Sequence, residues 1–451
     1  MDKGNNYMKA PEAEAVTTLL STTQSVCPVC LDVVDARIVA EGTVVSMEKG
    51  CPKHGEFKTF LWPDVDHYTW MNSFKFPCVK PEHSVASLKG CPEDCGLCTS
   101  HLRHPTLVEI ELTERCNLRC PVCFMAAEAV QTAAQPGPDL SELEAIYKGI
   151  MEKTGPYTSI QLTGGEPTIR KDLADIIRLG RSIGFTSIEL NTNGVVVAQN
   201  PEYVRELAEA GISGIFMQFD GLTSHVYEKI RGADLLQTKL KAIKNCREAG
   251  VQVVLAMTII NGINQEQIGD VLRFALENRD VIAGIAYQPA FGSGRFEVST
   301  ERRLTMGDVA FLLAEQSHGI LGPYDLWPLG CSHPTCDSAT YIVEDKGRFR
   351  ALTSMITTKE YIENFDPTSP QGSVLPDIAD KMFPELGPGL SIVVMSYMDA
   401  TDMDLKRLKE CSMTVAGPDG VLIPFCSYQL TNIHGQKRAE ILAGKLHEKE
   451  C

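Results

Sequence analysis

The segment Leu107-Val-Glu-Ile-Glu-Leu-Thr-Glu-Arg-Cys-Asn-Leu-Arg-Cys-Pro-Val-Cys-Phe124 joins an apolar, strand-like run to three closely spaced cysteines. Cys116, Cys120 and Cys123 form a C-x3-C-x2-C triplet. Three thiolates can hold a [4Fe–4S] cluster by three of its irons, whereas clusters ligated by protein alone normally use four. The fourth iron of such a cluster stays open to a small molecule. The alternative is a zinc knuckle whose fourth ligand comes from elsewhere in the chain.

Strand and helix patterns alternate from Thr106 onward. Six strand–helix units predict a parallel sheet, and an incomplete (β/α)6 barrel of the α/β class fits the count. The cysteine triplet follows the first strand, where the chemistry of full barrels lies. The predicted strands are 107–112, 158–163, 186–191, 213–219, 252–259 and 283–288, and the predicted helices are 140–154, 170–183, 201–210, 235–249 and 265–277. Several helical windows end at a glycine that can form a left-handed cap, namely Gly184, Gly211 and Gly250.

A chain of 451 residues is too long for one ordinary core, so several domains are expected. Residues 1–25 are interpreted as a loose leader with a short helix around Ala10–Leu20. Residues 26–105 form a cysteine-dense, metal-binding small domain, and residues 106–305 form the barrel core. Residues 306–451 are predicted to be a looped extension that carries an auxiliary cluster.

Composition narrows the class of function. The net charge is −16 and no basic run of five occurs, which argues against nucleic-acid binding. The longest apolar stretches reach about half the ~20 residues of a transmembrane helix. The sixteen cysteines fall in metal-site spacings, and the N-terminus lacks a secretory pattern. A cytoplasmic location with reduced thiols follows, and a peripheral contact with a membrane is compatible with it.

A glycine-rich turn, Gln161-Leu-Thr-Gly-Gly-Glu-Pro167, follows the second predicted strand. Gly164 and Gly165 allow close approach of a ligand to the backbone. Glu166 only accepts hydrogen bonds when ionised, which suits an ammonium group. With Pro167 they form a candidate cofactor-binding motif. The alternative is a plain strand-to-helix turn with proline at the helix start.

The third and fourth strands also end in polar residues. Asn191 and Asn193 lie in Glu189-Leu-Asn-Thr-Asn-Gly194, and Gln218 and Asp220 lie in Met217-Gln-Phe-Asp-Gly221. All four are candidate cofactor-binding or substrate-facing groups. Asn-Gly is also an ordinary turn signal, and Asp220 could instead cap a helix.

The remaining cysteines fall into further groups, apart from Cys246, which is predicted to be core, and the last residue, Cys451. Three more four-ligand sites need twelve ligands, so one site must recruit a histidine. In one partition, Cys27, Cys30, Cys51 and His54 hold a mononuclear zinc or iron, and Cys78 completes a cluster on Cys91, Cys95 and Cys98. In the other, Cys78 completes the mononuclear site and His101 completes the cluster.

A last group, Cys331, Cys336, Cys411 and Cys426, predicts a second auxiliary cluster in the C-terminal extension. The spacing of Cys331 and Cys336 and the stretch Pro424-Phe-Cys426 are loop-like, which argues against ordinary core cysteines. The alternative is a scattered set of buried thiols.

The triplet and the glycine-rich turn together resemble the signature of the radical S-adenosylmethionine (radical SAM) enzymes. The resemblance implies that Cys116, Cys120 and Cys123 are the catalytic cluster ligands. The open iron would then chelate the methionine part of S-adenosylmethionine, whose amino group the Gly-Gly-Glu motif holds. Cleavage gives a 5′-deoxyadenosyl radical that abstracts hydrogen from C–H bonds.

The cysteine groups, with Cys51-Pro-Lys-His-Gly55, Gly90–Cys98 and Pro424-Phe-Cys-Ser-Tyr428, further resemble the radical SAM family of archaeal tetraether lipid synthases. That resemblance implies three [4Fe–4S] clusters (one radical SAM, two auxiliary) and a mononuclear metal. It also implies a C–C bond-forming oxidoreductase that joins phytanyl chains of ether lipids, and a reductant such as ferredoxin or flavodoxin.

Two other functions compete with lipid coupling: radical SAM modification or methylation of a small polar substrate such as a pterin, and a non-catalytic iron–sulfur electron carrier. The character of the cavity separates the first two. A lipid enzyme should line its barrel with aliphatic side chains, whereas a pterin site needs convergent polar groups.

Overall fold

The computed structural model describes residues 17–81, 86–129, 137–300, 302–367, 374–417, 420–437 and 441. Its N-terminal part is a four-stranded antiparallel sheet in the order β1-β2-β3-β4, followed by a helix. These elements are β1 (Thr17–Val26), β2 (Val33–Glu41), β3 (Val44–Cys51), β4 (Gly55–Trp62) and α1 (Val65–Ser73).

The first strand differs from the predicted leader. β1 begins at Thr17 and pairs with β2 along its whole length, so 17–25 belong to the sheet. Of the short helix predicted around Ala10–Leu20, residues 10–16 lie outside the described residues, and 17–20 are strand. The physical reason is pairing: the threonine-rich run Thr17–Thr23 favours a pleated surface once a partner strand is present.

The barrel core alternates strands and helices as predicted. Its elements are β5 (Leu107–Glu111), β6 (Arg115–Cys116), β7 (Val122–Cys123), β8 (Glu128–Ala129), α2 (Leu140–Thr154), β9 (Ser159–Thr163), α3 (Leu173–Ile183), β10 (Ile188–Thr192), α4 (Val195–Gln199), α5 (Pro201–Ala210), β11 (Gly214–Gln218), α6 (Ser224–Arg231), α7 (Leu236–Ala249), β12 (Val253–Ile259), α8 (Ile268–Glu277) and β13 (Ile282–Pro289). The strands β5, β9, β10, β11, β12 and β13 are parallel neighbours in that order. The predicted incomplete α/β barrel is confirmed.

Local signals fix the helix ends of the core. Asp139 and Glu142 form a reciprocal capping box that starts α2. The predicted glycine caps Gly184, Gly211 and Gly250 all adopt the left-handed conformation at the ends of α3, α5 and α7. Each helix therefore stops where its strand must begin, and the strand ends are held at one edge of the sheet.

The C-terminal extension is more regular than the predicted loop. After β14 (Arg295–Phe296), which precedes residue 306, the extension contains α9 (Met306–Gln316), β15 (Trp327–Pro328), β16 (Asp337–Asp345), β17 (Arg348–Ala351), α10 (Thr358–Glu363), α11 (Val374–Met382), β18 (Leu390–Met395), α12 (Leu405–Lys409), β19 (Met413–Ala416), β20 (Leu422–Pro424) and α13 (Phe425–Tyr428). β18 runs parallel beside β13, and β19 runs parallel beside β5. The extension thus lengthens the sheet at both of its edges.

The gap between those edges is filled by side chains rather than by hydrogen-bonded strands. Leu107 of β5 and Met413 of β19 pack with Phe291, Met398 and Phe425 in one buried cluster. This cluster joins the start of the sheet to its end, so the barrel has a closed wall of apolar contacts where backbone pairing stops.

Among the helices of the described residues, none has the length and apolar composition that crossing a bilayer requires.

Candidate active site in the barrel

The predicted cluster loop, 116–123, lies at the carboxyl end of β5. Cys116 and Cys120 are buried, and Cys123 is partly exposed. No cysteine of the described residues forms a disulfide. Burial raises the pKa of the Cys116 thiol to about 12, so a metal charge is needed to keep it a thiolate at neutral pH. The three thiols line one cavity, which suits a cluster with one face open to a ligand.

Two arginines fix this loop. Arg295 donates to the backbone carbonyls of Cys120, Ala126 and Ala127 at 3.2 Å each. Arg231 donates to the carbonyl of Val122 at 3.0 Å, and both of its other donor groups reach Asp220 at 2.7 Å. A fully buried, bidentate pair of this kind has a defined geometry, so the loop is held rigidly.

The two glycines of the predicted motif are required by packing against the cysteine loop. A Cβ at Gly164 would lie 2.4 Å from the carbonyl oxygen of Thr113, and one at Gly165 would lie 2.1 Å from that of Arg115. The Gly165 N–H donates to Thr113, and the Glu166 N–H donates to Arg115. The motif and the cysteine loop therefore form one continuous backbone unit.

Glu166 is a saturated acceptor. Its Oε1 accepts from the backbone N–H of Thr168 at 3.1 Å and from the hydroxyls of Thr168 and Thr192 at 2.5 and 2.7 Å. Its Oε2 accepts from the N–H of Asn193 at 2.7 Å. The carboxyl thus joins the ends of β9 and β10 beside the cluster loop.

These residues surround a cavity of about 380 Å³ inside the barrel. One wall is aromatic: the rings of Phe291 and Tyr397 lie 5.2 Å apart, those of Tyr397 and Phe425 lie 4.7 Å apart, and Phe124 stacks on Phe291 at 5.9 Å. Flat apolar walls of this kind fit the face of a planar ring.

The floor of the cavity is polar. Gln161 donates from Nε2 to Glu189 at 2.8 Å and accepts at Oε1 from Asn191 at 3.2 Å. Glu109 on β5 is the register neighbour of Gln161. Burial, with the nearby charge of Glu111, raises the pKa of Glu109 to about 8. Convergent polar groups of this kind are the feature expected for a small polar substrate, not for a lipid chain.

Most of the predicted cofactor residues line the cavity, but Pro167 and Asp220 do not. Gly164, Gly165, Glu166, Asn191, Asn193 and Gln218 line the cavity. Asn193 also reaches Asn117 of the cysteine loop, from Nδ2 to Oδ1 at 2.7 Å. Pro167 begins a short 3₁₀ turn, Pro167–Ile169, as the plain-turn interpretation expected. The prediction that Asp220 faces the cofactor or substrate differs from the structure: both of its carboxylate oxygens are turned to Arg231.

The first cysteine group has the geometry of a mononuclear site. The ligand atoms of Cys27, Cys30, Cys51 and His54 all lie within 4.8 Å of one another. His54 Nδ1 lies 3.4 Å from the thiols of both Cys27 and Cys51. Although burial opposes it, hydrogen bonds from the Lys53 backbone and His54 lower the pKa of Cys51 to about 6. The structure therefore places His54, not Cys78, with these three thiols, and four such ligands suit tetrahedral zinc.

The other two cysteine groups lie against each other. Cys91, Cys95 and Cys411 pack on the cluster that contains Cys426. The Cys91 thiol, then burial, and then Cys411 raise the pKa of Cys95. Burial, Cys426 and Cys336 raise that of Cys411. His101 bonds through Nε2 to the backbone carbonyl of Cys411 at 2.8 Å.

Cys331 and Cys78 sit at the edge of this region. Cys331 is buried, and its thiol lies 3.9 Å from the hydroxyl of Ser332. Cys78 is exposed. Arg103 nevertheless links its segment to that of Cys331, because one guanidinium nitrogen donates to the carbonyls of Pro77 and Gly330 at 3.3 and 3.2 Å. Cys98 is buried, as is Cys246, which lies in the core as predicted.

Comparison with known protein families identifies the class of enzyme to which this chain belongs. Residues 110–275 match the Radical SAM superfamily, and residues 19–63 match the HMPTM N-terminal zinc ribbon domain. The chain belongs to the radical SAM superfamily, whose members use a [4Fe–4S] cluster and S-adenosylmethionine, and it is a radical SAM enzyme.

The particular relatives narrow this further. The chain is 32% identical to 7,8-dihydro-6-hydroxymethylpterin dimethyltransferase of Methanocaldococcus jannaschii, over 94% of this chain and 96% of the relative. It is 35% identical to a probable GTP 3′,8-cyclase of Pyrococcus abyssi, over 38% of this chain and 54% of that protein. SuiB of Streptococcus suis, solved with its precursor peptide SuiA, superposes on 49% of this chain and 47% of its own at 18% identity and a TM-score of 0.41.

These findings correct the predicted family and function. The predicted membership of the tetraether lipid synthases, and with it lipid C–C coupling, is wrong, because a relative that matches nearly the whole chain is a 7,8-dihydro-6-hydroxymethylpterin dimethyltransferase. The shared cysteine groups misled the interpretation, since they describe the metal content of an enzyme and not its substrate. The radical SAM chemistry, the cluster cofactor and the additional metal binding are confirmed.

The sequence interpretation missed the polar floor and Arg231. The available signal was a charged residue in the middle of a strand predicted to be buried on both faces: Glu109 and Glu189 both fit that description. Such a residue needs a partner or a ligand. Arg231, on helix α6, carried no such signal.

Proposed function

We propose that this protein is a radical SAM enzyme that methylates a reduced pterin carrying a hydroxymethyl group. The observation that carries the proposal is the cavity: it is lined both by the aromatic rings of Phe291 and Tyr397 and by the polar side chains of Glu109 and Gln161. A pterin is a flat ring with hydrogen-bonding edges and matches both surfaces. The end-to-end relative supplies the identity of the ring.

The residues of this chain have separate tasks in the proposed reaction. Cys116, Cys120 and Cys123 hold the cluster, which when bound supplies the electron that cleaves S-adenosylmethionine to a 5′-deoxyadenosyl radical. The backbone of Gly164 and Gly165 gives room for the cofactor, and Glu166 keeps the surrounding loops in place. Asn193 and Gln218 are the side chains positioned to hydrogen-bond it.

The substrate would lie deeper in the barrel. Its ring face contacts Phe291 and Tyr397, and its edge meets the polar floor. The walls exclude water from the space between cofactor and substrate, which protects a reactive radical from side reactions.

The other metal sites are part of the same proposal. Cys27, Cys30, Cys51 and His54 would hold zinc or iron that stabilises the small N-terminal sheet. Cys78, Cys91, Cys95 and Cys98, and the set Cys331, Cys336, Cys411 and Cys426, are the proposed ligands of two auxiliary clusters. Two members of the second set, Cys411 and Cys426, pack in the same cluster as Phe291 and Phe425.

Anaerobic reconstitution with iron, sulfide, S-adenosylmethionine and a reductant tests the proposal. We expect 6-hydroxymethyl-7,8-dihydropterin to stimulate formation of 5′-deoxyadenosine and, with a methyl donor present, to gain the mass of one or two CH2 units, because each added methyl group replaces a hydrogen atom. GTP is the matched comparison, and Cys120→Ala is the inactive control, since it removes a cluster ligand. Stimulation by GTP instead of the pterin, or cleavage indifferent to both, would overturn the assignment.

A further inference from the structure

Glu109 is a buried carboxyl group without an evident structural task. It lies in the middle of β5, is 3% exposed and lines the cavity. Its Oε2 is buried and has no hydrogen-bond partner among the described residues. Unpartnered buried polar groups are costly and rare, so each one calls for a specific explanation.

The polar side chains beside Glu109 hydrogen-bond to one another and not to Glu109. Gln161, its register neighbour on β9, gives its amide N–H to Glu189 and its amide oxygen to Asn191. These two bonds fix which way the amide points. Gln161, Glu189 and Asn191 are therefore hydrogen-bonded to one another before any ligand binds, and Glu109 is left free to accept from a ligand. Asn191 Oδ1 is a second acceptor without a partner in the described part of the chain.

Charge limits what can bind there. The cavity is lined by the carboxyl groups of Glu109, Glu166 and Glu189. Among the described residues that line it, the only cation is Arg231, and Asp220 neutralises it through two 2.7 Å bonds. A phosphate or carboxylate on the ligand would find no free counter-charge here, whereas a neutral ligand with several N–H donors would meet acceptors.

The aromatic wall adjoins the carboxyl group. Tyr397 and Glu109 line the same cavity. Tyr397 also packs between Phe291 and Phe425. A ring that packs on these aromatic side chains would lie in the same cavity as Glu109, within which one of its edges can meet that carboxyl group.

We infer that Glu109 is the specificity-determining group that accepts two hydrogen bonds from adjacent N–H donors on the edge of a neutral heteroaromatic ring. In a pterin these donors are the ring N3–H and the 2-amino group. One ionised carboxylate can accept both side by side, as it does from a guanidinium, and two such hydrogen bonds from a ligand favour the ionised form that burial alone disfavours. The identity of the ring rests on the proposed function, but the preference for a neutral, donor-rich edge rests on the cavity alone.

The test compares two ligands on two forms of the reconstituted holoenzyme. The ligands are 6-hydroxymethylpterin and its lumazine analogue, in which oxygen replaces the 2-amino group. Binding is measured by equilibrium dialysis without reductant, so it does not depend on turnover. We expect the wild type to prefer the pterin by about 10- to 100-fold, the range for one lost hydrogen bond to a charged group.

The variant Glu109→Gln keeps the size of the side chain but replaces one acceptor with a donor. We expect it to bind the pterin about 10- to 100-fold more weakly and to lose the preference over lumazine. Glu111→Gln is the matched control, because Glu111 is on the same strand but bonds to Tyr428 and Gln429 outside the cavity lining. It should keep the preference.

The outcomes separate the inference from the proposed function. Failure of the wild type to bind the pterin sinks the proposed function. A wild type that prefers pterin together with an unchanged Glu109→Gln variant overturns only the assignment of Glu109. Cluster absorbance and uncoupled cleavage of S-adenosylmethionine report whether the variant is intact. If it is not, Glu109→Asp replaces it, and an undiminished preference in that variant counts equally against the inference.

Discussion

Two buried glutamates of the barrel have opposite surroundings. Glu166, at the mouth, accepts four hydrogen bonds from Thr168, Thr192 and Asn193. Glu109, on the floor, has an unpartnered oxygen, and burial raises its pKa to about 8. The difference indicates that buried carboxyl groups of one fold can have either a structural role or a ligand-binding role. A saturated carboxylate holds the scaffold, whereas an unsatisfied one is kept for a ligand at a cost in stability.

Removing the saturated carboxylate should have the largest effect on stability. Glu166→Ala leaves the buried N–H groups of Thr168 and Asn193 and two hydroxyls without their acceptor. We expect a loss of roughly 3–6 kcal/mol in the free energy of unfolding, measured by anaerobic denaturant titration. Glu202→Ala, at an exposed ion pair with Arg205, is the control and should change nothing measurable. Equal stability of the two variants would mean that the four hydrogen bonds do not hold the mouth together.

The next effect concerns Asp220, a second saturated carboxylate. Asp220→Ala leaves the buried guanidinium of Arg231 without its counter-charge, and we expect a loss of about 3–5 kcal/mol. Because Arg231 also holds the carbonyl of Val122 in the cysteine loop, the variant should retain less iron after reconstitution, as measured by iron and sulfide analysis. Asp270→Ala, at an exposed pair with Arg273, is the matched control. Normal iron content in Asp220→Ala would show that the cysteine loop does not need the Asp220–Arg231 ion pair to bind its cluster.

The unsatisfied carboxyl should behave in the opposite way. Burial raises the pKa of Glu109 from 4.5 to about 8 in the folded protein. Between these values the unfolded chain ionises while the folded one stays protonated, so this group lowers stability progressively as pH rises from about 4.5 to 8. Glu109→Gln should therefore be more stable than the wild type, by roughly 2–4 kcal/mol at pH 8 and little at pH 4.5.

Paired denaturant titrations of the substrate-free proteins across this pH range measure the difference. A gap that does not change with pH would show that Glu109 has a partner in the folded state. A stabilised variant that also binds pterin weakly would have the trade-off between stability and function that is expected of a binding residue.

The sequence predicted the barrel well because its signals are local. Each of the six predicted core strands overlaps an observed one, and Gly184, Gly211 and Gly250 cap the helices as expected. The extension was predicted less well. β18 and β19 are short, proline and glycine residues lie just before β18 (384–389) and just after β19 (417–420), and the two segments become strands only because the edges of the sheet at β13 and β5 offer them partners.

The candidate site likewise has features that the sequence predicted and features that needed the structure. The spacing of Cys116, Cys120 and Cys123 defined the cluster loop without any structure. The choice between His54 and Cys78 needed the turn that brings Cys51 and His54 to Cys27. The polar floor needed the register of three strands, since Glu109, Gln161 and Glu189 are far apart in the sequence and adjacent in the sheet.

The sequence alone therefore predicted an incomplete barrel and several metal sites, because hydrophobic periodicity and ligand spacing are properties of short segments, and its resemblance to the radical SAM enzymes indicated the class of chemistry. Only the tertiary structure decided the character of the cavity, and with it the kind of substrate to propose. A cavity is made of side chains from different strands, and neither its charge nor its unpartnered atoms exist until those strands are side by side.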